Sequence, residues 1–218
     1  MILTAESYYS IEANREYMSC SQYQSFCECE AKAMACLNGE WIEPKGTPLL
    51  VGSYLHSHFE GPEAKQQFIA ETPEMFLKSG GLKAEYKKAD EMIATLEADE
   101  FCMYMLQGQP EVILTAELFG IPWKVRYDKY LPEKRRIVDI KTTRSIRGHE
   151  WKEIGGRNEK VSFVEMYDYM MRAAIYCEVE RIAAGREPGD WPDFYIVVVS
   201  KEDPPDKAVI NLSDPYRF

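Results

Sequence analysis

Apolar and polar residues alternate along residues 123–131. Trp123, Val125 and Tyr127 fall on one side, and Lys124, Arg126 and Asp128 on the other. That is the two-residue period of a half-buried strand. Pro132, Glu133, Lys134 and Arg135 break the pattern as a turn, and residues 136–142 return as a second strand. Pairing Leu131 with Arg136 sets Asp128 opposite Asp139, and alternation brings Lys141 onto the same face. Upstream, residues 111–119 read as a strand antiparallel to 122–131. If Phe119 and Gly120 form the turn, Glu111 opposes Asp128. Glu117 has the same parity but lies nearer the turn, which makes it the poorer candidate.

Elsewhere the period is helical. Ser19 or Ser21 can cap a helix that runs to about Leu37, where Asn38-Gly39 stops it. Gly46-Thr47-Pro48 reads as loop, followed by a short helix through Tyr54, Leu55 and Phe59 that Gly61-Pro62 ends. A longer helix over 83–106 follows Gly80-Gly81. Residues 143–160 are polar and glycine-containing with no clear period, which predicts a loop or mobile flap. Residues 163–184 predict one amphipathic helix with Phe163, Tyr167, Met170, Met171, Ala174, Ile175 and Ile182 as its apolar stripe. Residues 194–199 suit a buried strand and 208–212 a short edge strand, while the first ten residues carry little pattern. Helices, then a strand meander, then a helix and a strand define an α/β (α+β layered) protein. The whole chain, 1–218, reads as a single domain, helical to about residue 107, with a core sheet and a further helix from about 108.

Composition narrows this picture. A chain of 218 residues with 45% hydrophobic and 28% charged positions can bury a sizeable core. No apolar run approaches membrane-spanning length, and the N-terminus has no secretory pattern, so a cytoplasmic protein with no membrane partner is expected. The six cysteines are scattered and read as reduced thiols. A net charge of −10 argues against a generally adhesive nucleic-acid binder. The charge is uneven, however. Residues 121–160 hold twelve Lys/Arg against six Asp/Glu, so the basic excess surrounds the paired aspartates. Arg126 and Arg144 belong to it and are candidate DNA contacts. A solvated basic hairpin would carry the same charges.

Two carboxylates facing each other across a strand pair repel. A hard divalent cation would compensate them, with Lys141 as a fixed positive neighbour. Such a trio suits phosphodiester hydrolysis: cations neutralise the phosphate and acidify a bound water, and a lysine orients that water or stabilises developing charge. A surface Asp–Lys pair is the alternative on the hairpin alone. Glu111 would add a third carboxylate. His56 and Glu60, four residues apart on a helix, share a face and could reach a metal together, whereas His58 points elsewhere. Tyr169, Arg172 and Tyr176 follow one edge of the 163–184 helix, where rings could stack on bases and an arginine could meet a phosphate.

These segments together resemble the PD-(D/E)XK nuclease superfamily, and within it the RecE-type exonucleases (exodeoxyribonuclease VIII and its phage relatives). The resemblance runs through Gly52-Ser53-Tyr54-Leu55-His56, Glu111, Arg126-Tyr127-Asp128-Lys129 and Val138-Asp139-Ile140-Lys141-Thr142-Thr143. It ends with Tyr169-Met170-Met171-Arg172-Ala173-Ala174-Ile175-Tyr176. It implies a restriction-endonuclease-like core, a central mixed sheet flanked by helices, behind an N-terminal helical extension. It also implies Mg²⁺ or Mn²⁺ on Asp128, Asp139 and the Ile140 carbonyl, with His56 near the metal and Lys141 positioning the attacking water. Arg172 stands where such proteins mostly carry glutamine. Relatives with an iron–sulfur cluster use three C-terminal cysteines; here only Cys177 lies beyond residue 102, so no cluster is expected. By resemblance the partners are duplex DNA ends, a single-strand annealing recombination protein, and further copies of the chain in a homo-oligomeric ring. The activity implied is 5′-to-3′ exonuclease digestion in phage or prophage recombination. The competing expectation is a catalytically silent nuclease-like fold that binds DNA or protein.

Overall fold

A computed structural model describes residues 2–42, 44 and 46–213. The first helix, α1 (Ile11–Glu16), is capped by Ser10, whose hydroxyl accepts the Ala13 N–H. The span predicted as one helix from Ser19 is two, α2 (Cys20–Glu28) and α3 (Glu30–Asn38). Ser19 caps α2 by accepting the Gln22 N–H, but Cys29 turns extended (φ −160°, ψ 100°) and separates the pair. Gly39, left-handed at φ 78°, ends α3. The Gly46-Thr47-Pro48 loop is in fact the start of α4 (Thr47–Glu60). Pro48 sits in its first turn, where a missing N–H breaks no helical bond. An unexpected α5 (Pro62–Glu71) follows directly, again with proline at its start. The 83–106 helix is divided into α6 (Ala84–Glu97) and α7 (Glu100–Met105), because Asp99 caps α7 by accepting the Cys102 N–H at 2.9 Å.

Strands β1 (Gln109–Leu118), β2 (Ile121–Leu131) and β3 (Arg136–Thr143) form the expected antiparallel meander. Leu131 pairs with Arg136, and Leu118 with Ile121, so both turns fall where the sequence puts them. Gly108 precedes β1 at φ 132°, and a Cβ there would come within 2.7 Å of the Tyr130 carbonyl oxygen. The predicted flap is instead a second, two-stranded sheet of β4 (Glu150–Ile154) and β5 (Arg157–Val161). Its turn is Gly155-Gly156, both at positive φ, as a two-residue hairpin loop requires.

The predicted 163–184 helix is also divided, into α8 (Phe163–Met166) and α9 (Tyr169–Ala183), by a left-handed Asp168 at φ 51°. That break resets the helical phase and corrects the apolar stripe. Tyr167 is 48% exposed, whereas Tyr169, Ala173, Tyr176 and Cys177 are buried. The chain returns as β6 (Asp193–Ser200), parallel to β3, and β7 (Lys207–Asn211), antiparallel to β6. The five-stranded mixed sheet therefore runs β1-β2-β3-β6-β7.

Helices cover both faces. Trp123, Val125, Tyr127, Ile137, Phe194 and Ile196 pack with Ala173 and Tyr176 of α9. Val138, Ile140, Val197 and Val199 pack with residues of α4 and α6, among them Leu55 and Met92. Consecutive apolar residues in β3 and β6 serve opposite layers, as interior strands covered on both sides must. Among the described residues no helix is long and apolar enough to cross a membrane, and the cysteines form no disulfide.

Candidate active site

The regular sheet fails at one place, and the chemistry-bearing residues gather there. Trp123, Val125 and Tyr127 point into the α9 layer at every second position, but the next β2 residue in that layer is Tyr130. The alternation slips opposite Glu111, which sits at φ 56°, and the β1–β2 pairing skips that residue between Pro110 and Val112. On the other edge of β2, pairing with β3 is regular only from Leu131 to Lys129. Asp128 is next in register with Asp139, as the sequence predicts, but the strands part there. The Ile140 N–H is donated to Asp128 Oδ2 at 2.6 Å. Irregular backbone of this kind re-aims side chains and concentrates at functional sites.

Asp139, on β3, is 4% exposed at its side chain, and its Oδ2 lies 2.6 Å from Lys141 Nζ. Oδ2 is buried, and beyond this ion pair it has no hydrogen-bond partner among the described residues. Lys141 Nζ also donates to the Ile140 carbonyl at 3.1 Å and stands 5.7 Å from the Tyr169 ring centre. From α4, His56 Nδ1 approaches Asp128 Oδ1 at 3.5 Å. Glu111 pairs with Arg126, and Arg126 lies 5.5 Å from the Tyr9 ring.

These contacts set the protonation states. Burial pushes the Asp128 carboxyl up, but the charges of His56 and Lys141 and the Ile140 amide outweigh it and hold the group well below the usual range. Burial raises Asp139, Lys141 opposes, and the charge of Asp128 adds to the rise. Glu111 is pushed up to about 7, first by burial and then by Asp128, against the pull of Arg126. Burial lowers His56, yet Asp128 more than compensates and its pKa is raised. An imidazolium paired to Asp128 cannot also ligate a metal, so ion pairing and ligation are alternative states of His56.

Among the described residues, no three His, Cys, Asp or Glu side chains stand together as a ready metal cage. The donors nevertheless fit a hard cation in kind. Asp128 and Asp139 offer carboxylate oxygens, Ile140 a carbonyl, and Asp139 Oδ2 is buried with no partner among the described residues but the Lys141 ammonium. The Lys141 ammonium lies against two of these oxygens, Asp139 Oδ2 and the Ile140 carbonyl, and so stands in for a positive ion.

The other candidates separate. Arg172, half-buried, donates from Nη1 to the Tyr176 hydroxyl at 3.2 Å, and the charge of Asp139 reaches it. Tyr176 itself is 6% exposed and its ring packs against Tyr127 and Phe194, so it cannot stack on a base. This corrects the expectation for that residue. Tyr169 is also buried, with Lys141 over its ring. Arg144 is exposed just beyond β3, and Glu117 is exposed near the β1–β2 turn, paired with Pro122. Glu60 shares the α4 face of His56, and its charge reaches Glu111 and Arg126. His58 is turned away, contacting Glu97 and Lys65. Sequence reasoning missed Tyr9, which lies in the unpatterned N-terminus, and Cys20, a buried thiol that the charges of Arg172 and Asp139 reach.

A mixed sheet with helices on both faces and an Asp…Asp-x-Lys cluster at parted strands defines a PD-(D/E)XK-like protein. The chain belongs to the family described as a PDDEXK-like domain of unknown function (DUF3799), whose model matches residues 19–217. It is similar to a crystal structure of a "Putative exonuclease" from Eubacterium rectale. The two share 41% sequence identity and a TM-score of 0.90, over all of this chain and 80% of the other. No curated protein matches the chain.

Proposed function

We propose that this protein is a metal-dependent deoxyribonuclease that hydrolyses phosphodiester bonds at the ends of linear duplex DNA. One observation carries the reading: the Lys141 ammonium rests on Asp139 Oδ2 and the Ile140 carbonyl, next to a second, half-buried aspartate kept anionic. Asp128, Asp139 and the Ile140 carbonyl would hold Mg²⁺ or Mn²⁺, with His56 beside them. When bound, such an ion supplies charge neutralisation at the phosphate and a more acidic water.

The chain's own residues supply the rest. The Ile140 amide fixes the Asp128 carboxylate in place. Lys141 orients the attacking water or stabilises the charge that develops on the phosphate. Arg126 and the exposed Arg144 offer positive charge to the DNA backbone, and Glu111 tunes the charge next to Asp128. The similarity to the "Putative exonuclease" supports digestion from ends. The finer reading is 5′-to-3′ digestion in phage or prophage recombination, by a homo-oligomeric ring working with a single-strand annealing protein. It rests on the RecE-type resemblance of the motifs.

End-labelled linear duplex incubated with Mg²⁺ is expected to be degraded while covalently closed circles survive. Equal digestion of circles would leave a nuclease but not an exonuclease. No digestion by a protein that binds DNA would favour the silent, DNA-binding fold.

A further inference from the structure

We propose that the β4–β5 hairpin holds single-stranded DNA, with the Trp151 ring stacked on an unpaired base and Lys160 on the adjoining phosphate. The inference rests on the nuclease reading and deepens it. Digestion of one strand of a duplex leaves the other unpaired, and the hairpin is a holder for that remaining strand.

Along both strands of the hairpin only Val161 is buried, and Trp151 is 63% exposed. A cross-strand pair explains part of this placement. Trp151 and Lys160 face each other in register, and the ammonium stands 5.4 Å from the ring centre. That pair steadies the hairpin but leaves most of the indole in water, where so large an apolar side chain gains little. A ring beside an ammonium suits a single strand, because any base can stack on the ring while the cation meets a phosphate. The bases of a duplex are already stacked on one another, so an exposed indole favours the unpaired form.

Charge and position point to the same occupant. Residues 144–160 hold five Lys/Arg against three Asp/Glu, in a chain whose net charge is −10. Arg144, Arg157 and Lys160 are exposed, and none has a carboxylate partner among the described residues. Glu153 shares the Trp151 face but lies toward the turn, so the phosphate contact falls at the Lys160 end. The hairpin is also fastened rather than free. On its opposite face Lys152 donates to the Glu165 carbonyl at 2.8 Å and to Asp168 at 2.7 Å. Asp168 adjoins Tyr169, whose ring faces Lys141, so the hairpin is anchored at the edge of the aspartate cluster.

The test is fluorescence anisotropy of a short labelled oligothymidylate and of a small, covalently closed duplex, each titrated with the full chain in EDTA. Trp151→Ala should weaken the oligonucleotide about tenfold, the scale of a lost base–aromatic stack, and the closed duplex by less than about twofold. Trp151→Leu keeps apolar bulk on the strand and should lose as much, whereas Trp151→Phe should retain most of the affinity. Lys160→Ala should weaken the oligonucleotide and reduce its log–log salt slope by about 0.7, the share of one phosphate contact on a single strand. Unaltered oligonucleotide binding in Trp151→Ala, wild-type binding in Trp151→Leu, or an equal loss on the closed duplex would overturn the proposal. The readout needs neither metal nor cleavage. Failure alongside active digestion of linear duplex sinks the hairpin site alone, and ring-dependent binding by a protein that cuts nothing sinks the nuclease reading alone.

Discussion

Two buried carboxylates of this protein, Glu180 and Asp139, are treated in opposite ways. Glu180 on α9 is fully buried and saturated: Oε1 accepts from the Tyr130 hydroxyl at 2.6 Å and from Arg186 at 2.7 Å, and Oε2 accepts from Arg186 at 3.2 Å. Asp139 on β3 is nearly as buried, yet among the described residues its Oδ2 has no partner beyond the ammonium of Lys141. A bidentate arginine satisfies a carboxylate and leaves nothing to bind. A carboxylate left with a lone pair and a flexible lysine retains capacity for a ligand. The first arrangement serves folding, whereas the second suits the ligand site proposed above.

The contrast breaks most visibly under substitution. Asp139→Asn should lower DNA cleavage at least about a thousandfold, the upper scale for losing one electrostatic group, with little change in the denaturant midpoint. If cleavage per folded molecule survives, the assignment of Asp139 is wrong. Lys141→Ala should lower cleavage by about two to four orders of magnitude, measured as kcat at saturating Mg²⁺. Recovery of full rate at high Mg²⁺ would make Lys141 a structural neighbour instead.

Glu180→Gln should do the reverse of Asp139→Asn. Arg186 keeps its charge and loses its partner, so stability should fall by about 3–5 kcal/mol in urea unfolding, with cleavage per folded molecule unchanged. A rate loss without a stability loss would remove the distinction between the two carboxylates.

The smallest effect concerns pH. Glu111 titrates near 7 in the folded chain, against 4.5 for the free side chain. The folded state therefore holds more protons than the unfolded state between those values, and stability should fall as pH rises from about 4.5 to 7, then level off. Glu111→Gln should remove that part of the descent in metal-free unfolding curves. An unchanged curve would mean that Glu111 is not buried against Asp128 as described.

The site was legible where local pattern and geometry agree. Alternation from Trp123 to Tyr127 and the Pro132–Arg135 turn set Asp128 against Asp139, and a turn at Phe119-Gly120 sets Glu111 against Asp128. Ser19 and Gly39 likewise mark true helix ends. What stayed hidden depended on single backbone residues. The left-handed Asp168 rotates α9, so that Tyr169 and Tyr176 enter the core and Tyr167 faces outward, a phase change that apolar periodicity does not carry. The β4–β5 hairpin is largely exposed, with Val161 its one buried residue, so it lacks apolar alternation and Gly155-Gly156 marks its turn. Tyr9 reaches the site from a segment with no pattern, held by contacts far apart in sequence, such as the Lys124 ammonium on the Tyr8 carbonyl at 2.5 Å.

The most direct test of the reserved carboxylate is a calorimetric titration of Mn²⁺, without DNA, into wild-type protein, Asp139→Asn and Lys141→Ala. Wild type should bind, and Asp139→Asn should bind far more weakly. Lys141→Ala should bind as well as wild type or better, because removing the ammonium frees Asp139 Oδ2 and relieves its repulsion of the ion. Loss of Mn²⁺ binding in Lys141→Ala, or wild-type affinity in Asp139→Asn, would contradict the account.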